Sequence, residues 1–265
     1  MMKKTFCILL AAVLLNLTAC GAPTAGHTAA QTELTVFAAA SLTEALTQIA
    51  ENYRSAAPEV TLRFNFDSSG TLQTQIEQGA VCDLFFSAGQ KQMNALADAS
   101  LIDPNSRTDL LENKVVLAVP DGNPAGLDSL DALANRLRQG DILLAMGNSD
   151  VPVGQYTQKI LRYFTLDEAA LAASGCLTYG TNVKEVTTQV REGSVDAGII
   201  YATDAFSANL TVIDQATPAM CGQVIYPAAV TSSSAQPEAA QAFLTYLTGE
   251  AAAAEFEAVG FSRAE

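Results

Sequence analysis

The apolar positions of the chain follow two periods in turn. Residues 34–38 form an apolar run of strand length, and the next segment repeats apolar residues at helical spacing: Leu42, Ala45, Leu46, Ile49, Ala50 and Tyr53. Residues 60–66 then alternate apolar and polar side chains, which predicts a strand with one buried face. This succession continues to the C terminus, so the pattern predicts an α/β fold with short crossovers.

Four junctions between a predicted strand and the following helix carry small or hydroxyl residues: Ala40-Ser41, Ser68-Ser69-Gly70, Pro152-Val153-Gly154 and Thr181-Asn182-Val183. The first turn of a helix leaves backbone N–H groups unpaired and carries partial positive charge, so it can bind an oxyanion without a cationic side chain. In open α/β sheets such junctions gather at the carboxyl ends of the strands. Together they predict a site for a small anion.

Each junction taken alone also fits an ordinary structural role. Residues 41–44 have the capping-box form, which predicts Ser41 as the N-cap of its helix. Serine caps usually serve stability alone, and Gly70 and Gly154 fit turns equally well. Tyr201, which ends the predicted strand 197–201, fits a half-buried core aromatic.

The N-terminal segment predicts export and a lipid anchor. Lys3 and Lys4 precede an apolar run over 6–17 that is too short for a membrane span and typical of a signal peptide. The run ends in LTAC, which resembles the bacterial lipobox and predicts lipid on Cys20, although an ordinary signal peptide is the alternative. We expect 1–19 to be removed, 20–32 to be a flexible tether, and the protein to be extracytoplasmic and attached to the cell membrane.

Charge and residue counts exclude several function classes. Loss of Lys3 and Lys4 leaves 12 basic and 28 acidic residues, a net charge of −16, which argues against nucleic acid but leaves a small anion open. The single histidine, His27, lies in the predicted tether. A Ser-His-Asp or Cys-His unit and a zinc site of the usual type are therefore not expected in the fold. We expect no enzyme.

Three cysteines remain in the predicted folded part. Cys176 and Cys221 either pair as a disulfide in an oxidising compartment or stay as two separate buried thiols. Cys82 precedes an apolar strand and is expected to be a small core residue.

Several motifs, in order along residues 33–261, closely resemble the molybdate-binding proteins of molybdate ABC transporters: FAAASLTEAL (37–46), SSGTLQTQIEQGA (68–80), DLFFSAGQKQMNAL (83–96), VPVGQYTQKIL (151–161), DAGIIYATDA (196–205), YPAAV (226–230) and FEAVGF (256–261). The resemblance implies a two-lobed type II periplasmic-binding-protein fold, with a mostly parallel sheet flanked by helices in each lobe. With 114–119 and 223–230 as hinge strands, it places lobe 1 at 33–115 and 228–265 and lobe 2 at 116–227.

The resemblance also implies the ligand residues. The serine hydroxyls fall on Ser41 and Ser69, with Ser68 the less favoured neighbour of the second. The backbone N–H donors fall on Val153, where the family usually has alanine, and on Val183, and the tyrosine hydroxyl is that of Tyr201. No cofactor and no direct metal ligand are implied, since molybdenum enters only as bound molybdate.

The implied function is capture of molybdate or tungstate between the lobes, by a monomer, and delivery to the permease of an ABC importer. Another tetrahedral oxyanion, such as sulfate or phosphate, is the main alternative, because serines and helix ends fit any of them. A hydrolase built on Ser69 lacks a histidine and the GxSxG motif. A lipoprotein for adhesion or signalling would need no ligand.

Overall fold

The computed structural model describes residues 31–264, so the predicted signal peptide, Cys20 and His27 lie outside the described residues. The first sheet has six strands in the spatial order β11 (Ser262–Arg263), β4 (Thr108–Asn113), β10 (Val224–Val230), β3 (Leu84–Phe86), β1 (Thr32–Ala39) and β2 (Val60–Asp67). The second has five, in the order β7 (Leu177–Gly180), β6 (Leu144–Gly147), β8 (Ala197–Tyr201), β5 (Val115–Val119) and β9 (Thr211–Gln215).

Helices cover both sheets, which confirms the predicted α/β architecture. We call the first sheet and its helices lobe 1; these helices are α1 (Thr43–Ala56), α2 (Ser69–Glu77), α3 (Gln90–Asp98), α10 (Pro237–Leu247) and α11 (Glu250–Ala258). Lobe 2 is the second sheet with α4 (Leu130–Gln139), α5 (Pro152–Tyr163), α6 (Glu168–Ala173), α7 (Val183–Arg191), α8 (Ala202–Ser207) and α9 (Pro218–Cys221).

Each sheet is mixed, which corrects the expectation of mostly parallel sheets. In lobe 1, β1 runs parallel to β2 and β3, whereas β10 is antiparallel to β3 and β4. In lobe 2, β6 is parallel to β7 and β8, whereas β5 is antiparallel to β8 and β9. All of these antiparallel pairs involve β5 or β10, the two strands that enter their sheets from the opposite lobe; one further antiparallel pair, β11 with β4, lies at the edge of the first sheet.

The chain passes from one sheet to the other at Lys114 and again between β9 and β10. Val115, predicted to end the first part of lobe 1, therefore lies in the sheet of lobe 2. Residues 224–227, predicted to belong to lobe 2, lie in the sheet of lobe 1. That the lobes move as units about these two crossings stays a prediction.

Lobe 1 has a core on each face of its sheet, as the apolar run in β3 predicts. Successive residues of a strand point to opposite faces, and both Phe85 and Phe86 are fully buried. Phe85 packs in a cluster with Leu72 and Met93 under α2 and α3. Phe86 packs edge-on against Phe256 of α11, with ring centroids 6.2 Å apart. The two cores hold β1 and β3, whose ends reach the lobe boundary, in fixed positions.

The cysteines of residues 31–264 are separate buried thiols, so the second of the two alternatives holds and the disulfide is not formed. Cys176 comes just before β7, at one edge of the second sheet, and its sulfur accepts a hydrogen bond from Ser174. Cys221 ends α9, which follows β9 at the opposite edge. A disulfide needs Cα atoms within about 7 Å. Neighbouring strands are spaced by about 4.8 Å, and four such spacings separate β7 from β9, so the two cysteines lie too far apart to pair.

We therefore predict that all three thiols of a chain starting at residue 21 react with iodoacetamide once the protein is denatured without a reducing agent. Labelling of the native protein should be slow, because burial raises the pKa of the Cys82 thiol to about 12 and raises that of Cys221. Mass spectrometry measures both conditions. Protection of Cys176 and Cys221 in the denatured, unreduced sample would contradict the separate thiols.

Candidate functional site

Four of the five expected ligand residues line one small cavity between the lobes, which leaves about 10 Å³ for the centre of a water-sized molecule. Its lining comprises Ala39, Ala40, Ser41, Asp67, Ser68, Ser69, Ala88, Val151, Pro152, Val183 and Tyr201. Val153 is not part of the lining, although the two residues before it are. A cavity needs about 10–15 Å³ of such space to hold one water molecule, so a larger ligand requires the lining residues of the two lobes to move apart.

Ser41 is not the helix cap that its capping-box pattern predicts. It lies in a 3₁₀ turn, Ala40–Leu42, and Leu42 occupies the N-cap position of α1 without a side-chain hydrogen bond. The Ser41 hydroxyl instead lies 2.9 Å from the hydroxyl of Tyr226, which accepts a hydrogen bond from Asn113 Nδ2 at 3.1 Å. Either hydroxyl can be the donor in this pair; when it is Tyr226, the Ser41 proton is left to donate into the cavity.

Ser69 has the same arrangement through a different partner. Its Oγ accepts the backbone N–H of Ala88 at 2.9 Å, so its proton is also left to donate. The neighbouring Ser68 is the N-cap of α2, and its Oγ accepts the N–H of Thr71 at 3.1 Å. Both serines line the cavity, but the Ser68 hydroxyl also lies 2.8 Å from Thr71 Oγ1, which can take its proton, so Ser69 is favoured as the donor.

Ala88 links the two lobes at the cavity. Its N–H donates to Ser69, and its carbonyl accepts the hydroxyl of Tyr201 across the lobe boundary at 3.4 Å. A hydrogen bond of that length is weak, so the Tyr201 hydroxyl can turn toward a better acceptor in the cavity.

Tyr201 in the lining and its neighbour Tyr226 behind it are both neutral donors. Burial raises the pKa of Tyr201 and of Tyr226 well above the usual value, and the charge of Asp204 raises both further. The rings of Tyr201 and Tyr226 contact each other edge-on with centroids 5.6 Å apart. Both hydroxyls therefore keep their protons at physiological pH.

Two helices of lobe 2 begin at the lobe boundary. Val183 is the first residue of α7. The side chain of the N-cap residue Asn182 accepts the N–H of Glu185 and not that of Val183. Helix α5 begins with Pro152 and has no side-chain cap, which leaves the N–H of Val153 in an open first turn. The close approach of α5 to β6 requires glycine at 154, because a Cβ there would lie 2.2 Å from the carbonyl oxygen of Gly147.

The cavity is not wholly neutral, which differs from the expected cage of hydroxyl and N–H donors. Asp67 ends β2 and is half-buried in the lining. Its Oδ1 accepts the backbone N–H of Ser68 at 2.7 Å. The carboxylate can therefore also accept a hydrogen bond from a ligand that carries a proton.

Sequence reasoning missed three residues that orient the donors: Asn113, Tyr226 and Ala88. Tyr226 and Ala88 lie inside the motifs YPAAV and DLFFSAGQ, but nothing in the one-dimensional pattern shows that they touch Ser41 and Ser69. A tyrosine placed before a proline in an otherwise apolar strand was the one available signal for Tyr226.

A larger groove lies beside the cavity, lined by glutamines and by Lys91, Lys159 and Arg162. It contains none of the expected ligand residues. Within 31–264 no three His, Cys, Asp or Glu side chains are grouped to hold a metal ion, and no helix there has the length and hydropathy of a membrane span.

Comparison with known proteins agrees with this fold. The family of bacterial extracellular solute-binding proteins matches residues 34–262. YvgL of Bacillus subtilis (strain 168), named as a candidate ABC transporter substrate-binding lipoprotein, is 34% identical over 231 residues, covering 86% of each chain. The molybdate-binding protein ModA of Mycobacterium tuberculosis (strain ATCC 25618 / H37Rv) is 32% identical over 254 residues, covering 94% of this chain and 93% of its own.

The solved structure of the Azotobacter vinelandii periplasmic molybdate-binding protein matches with a TM-score of 0.76 and 22% identity, covering 88% of this chain and 100% of that chain. This likeness confirms the two-lobed periplasmic-binding-protein fold. The family match spans nearly all of the described residues, and the two relatives span most of the chain. The chain therefore belongs to the family of bacterial extracellular solute-binding proteins.

Proposed function

We propose that this protein captures molybdate, and tungstate by the same contacts, in the cavity between its lobes and delivers it to the permease of an ABC importer. The observation that supports this proposal most directly is that hydroxyl and N–H donors from both lobes meet at one small cavity, whose lining contains no cationic side chain. Relatives named as molybdate-binding proteins support the choice of ion. Solute-binding proteins of this family carry ligands and are not expected to transform them.

The donors suit an anion held by dipoles. Hydrogen bonds to a charged group contribute about 1.5–3 kcal/mol each. Ser41, Ser69 and Tyr201, with the first-turn N–H groups of α5 and α7, would together support submicromolar affinity, about −8 kcal/mol or better. Val153 enters this set through its backbone N–H in the first turn of α5, although Val153 is not among the residues that line the cavity.

The split of donors between the lobes links binding to closure. Ser41 and Ser69 belong to lobe 1, whereas Val183 and Tyr201 belong to lobe 2. A ligand held by both favours the closed arrangement, which is the state that the permease would recognise. Lipid on Cys20, and a monomer held to the cell membrane by it, complete the proposal; a relative named as a lipoprotein supports the anchor.

A second candidate ligand is hydrogen phosphate, and Asp67 is the observation that favours it. An ionised carboxylate can only accept hydrogen bonds, so Asp67 would repel a fully deprotonated oxyanion but would accept the proton of hydrogen phosphate. Sulfate gains nothing from this residue, because it carries no proton at neutral pH.

Titration calorimetry of residues 21–265 with molybdate, tungstate, sulfate and phosphate tests the proposal. We expect one molybdate or tungstate per chain with a Kd below about 1 μM and no heat from the other two ions. Tight phosphate binding that is lost in Asp67→Asn would establish the second candidate. Absence of heat with all four ions would reject both.

Alanine at either serine should weaken molybdate binding, because each change removes one donor to the anion. We expect Kd to rise about 10- to 100-fold for Ser41→Ala and for Ser69→Ala. Ser106→Ala is the matched control, since Ser106 is equally buried in lobe 1 but bonds to Asp103 and Val230 away from the cavity. An equal loss in all three variants would indicate general destabilisation instead of lost contacts.

Gly70 should be required for closure. A Cβ at this position would lie 2.2 Å from the carbonyl oxygen of Asp150 in the other lobe, so Gly70→Ala should hold the lobes apart and weaken binding about tenfold or more. Gly89→Ala is the control at the same boundary, because its Cβ would meet Pro152 only at 3.4 Å. Small-angle scattering with molybdate should show compaction in the control and not in Gly70→Ala. Normal compaction of Gly70→Ala would contradict the close approach.

A further inference from the structure

Three charged side chains meet beside the cavity without lining it. Lys184 Nζ lies 2.7 Å from Glu44 Oε2 and 2.9 Å from Asp204 Oδ1. It also donates to Glu44 Oε1 at 2.8 Å, so it engages both oxygens of that carboxylate. The Lys184 and Glu44 side chains are 31% and 42% exposed, whereas that of Asp204 is fully buried.

The three residues lie on the elements that present the donors. Glu44 is in the first turn of α1, just after Ser41, and belongs to lobe 1. Lys184 follows Val183 at the start of α7, and Asp204 lies in the first turn of α8 after Tyr201, both in lobe 2. The Glu44–Lys184 pair therefore joins the lobes, whereas the Lys184–Asp204 pair stays within lobe 2.

Two members of the network occupy unfavourable positions. A cation in the first turn of a helix opposes the helix dipole, and Lys184 is the second residue of α7. The buried Asp204 carboxylate accepts no well-oriented hydrogen bond, and burial raises its pKa to about 6 even though Lys184 lowers it. The contact with Lys184 is therefore an ion pair of poor hydrogen-bond geometry. Local stability explains neither residue well, since each is costly alone.

We propose that Glu44, Lys184 and Asp204 form an ionic latch that holds the closed lobes together and slows ligand release without touching the ligand. In this latch Asp204 positions the ammonium group of Lys184, and Glu44 engages it when lobe 1 meets lobe 2. The proposal rests on the proposed function for its ligand, but the contact between the lobes belongs to the protein alone.

The sign of the effect separates a latch from a general charge effect. The three side chains together carry one net negative charge, which disfavours an incoming anion. If Glu44 acted only through its charge, Glu44→Gln would bind an oxyanion more tightly. The latch instead predicts that Glu44→Gln releases the ligand faster, because the neutral amide pairs weakly with Lys184 across the boundary.

The experiment compares Glu44→Gln with Glu51→Gln in the protein from residue 21. Glu51 lies on the same helix and pairs with Arg54 within that helix, so the control makes the same charge change without the contact between lobes. Release of molybdate is followed in rapid mixing by tyrosine emission, since the chain has no Trp. We expect release about fivefold faster in Glu44→Gln and unchanged in Glu51→Gln at low salt.

Salt provides a second readout. At 1 M NaCl the screening length is about 3 Å, so the difference between Glu44→Gln and the unmodified protein should shrink. Release from Glu44→Gln that equals or is slower than that of the unmodified protein would overturn the latch. Equal acceleration in Glu51→Gln would overturn it as well.

A distance measurement keeps the latch testable if the unmodified protein binds none of the oxyanions, an outcome that rejects the proposed function alone. Spin labels at Asp98→Cys in α3 and Gln139→Cys in α4 report the separation of the lobes without ligand, and the native thiols are buried. A shift of Glu44→Gln toward longer distances than Glu51→Gln would support the latch. Identical distance distributions in the two variants would overturn it.

Discussion

The peptide group of Ala88 is the contact on which the cavity depends. Its N–H donates a hydrogen bond to Ser69 Oγ at 2.9 Å, and its carbonyl oxygen accepts one from the Tyr201 hydroxyl of the other lobe at 3.4 Å. Tyr226 acts similarly on Ser41. A buried anion without a cationic partner is stable only if every surrounding donor is already oriented toward it. For Ser41 and Ser69 that orientation comes from hydrogen bonds to Tyr226 and Ala88, whereas the Tyr201 hydroxyl must turn away from the Ala88 carbonyl to reach a ligand.

Charge is distributed around the cavity so that the donors and the ionic contacts have separate roles. The lining carries hydroxyls, first-turn N–H groups and the single carboxylate of Asp67. The ammonium group of Lys184 lies next to it but is bound to Glu44 and Asp204. Ligand selection can therefore depend on dipoles and on Asp67, while the stability of the closed arrangement depends on an ion pair that the ligand does not touch.

Close packing limits how the two lobes can meet. Gly70 approaches the backbone of Asp150 too closely for any side chain, and the start of α5 lies against β6 through Gly154. These contacts bring the first turns of α2 and α5 to the same boundary. Backbone donors can then reach one ion from both sides, which longer side chains at these glycines would prevent.

The sequence alone determined the α/β order, the strand–helix junctions and, through its resemblance to molybdate-binding proteins, the residues Ser41, Ser69, Val183 and Tyr201 that line the cavity. Periodicity and motif order are local properties, so they can be read along the chain. Only the tertiary structure decided the role of Ser41, which the capping-box pattern assigned to a helix cap, and the antiparallel strands that make both sheets mixed. It also decided that Cys176 and Cys221 lie apart, and that Ala88, Tyr226, Asp67 and Lys184 surround the donors. These are contacts between residues far apart in sequence, and they exist only once two sheets and two lobes have met.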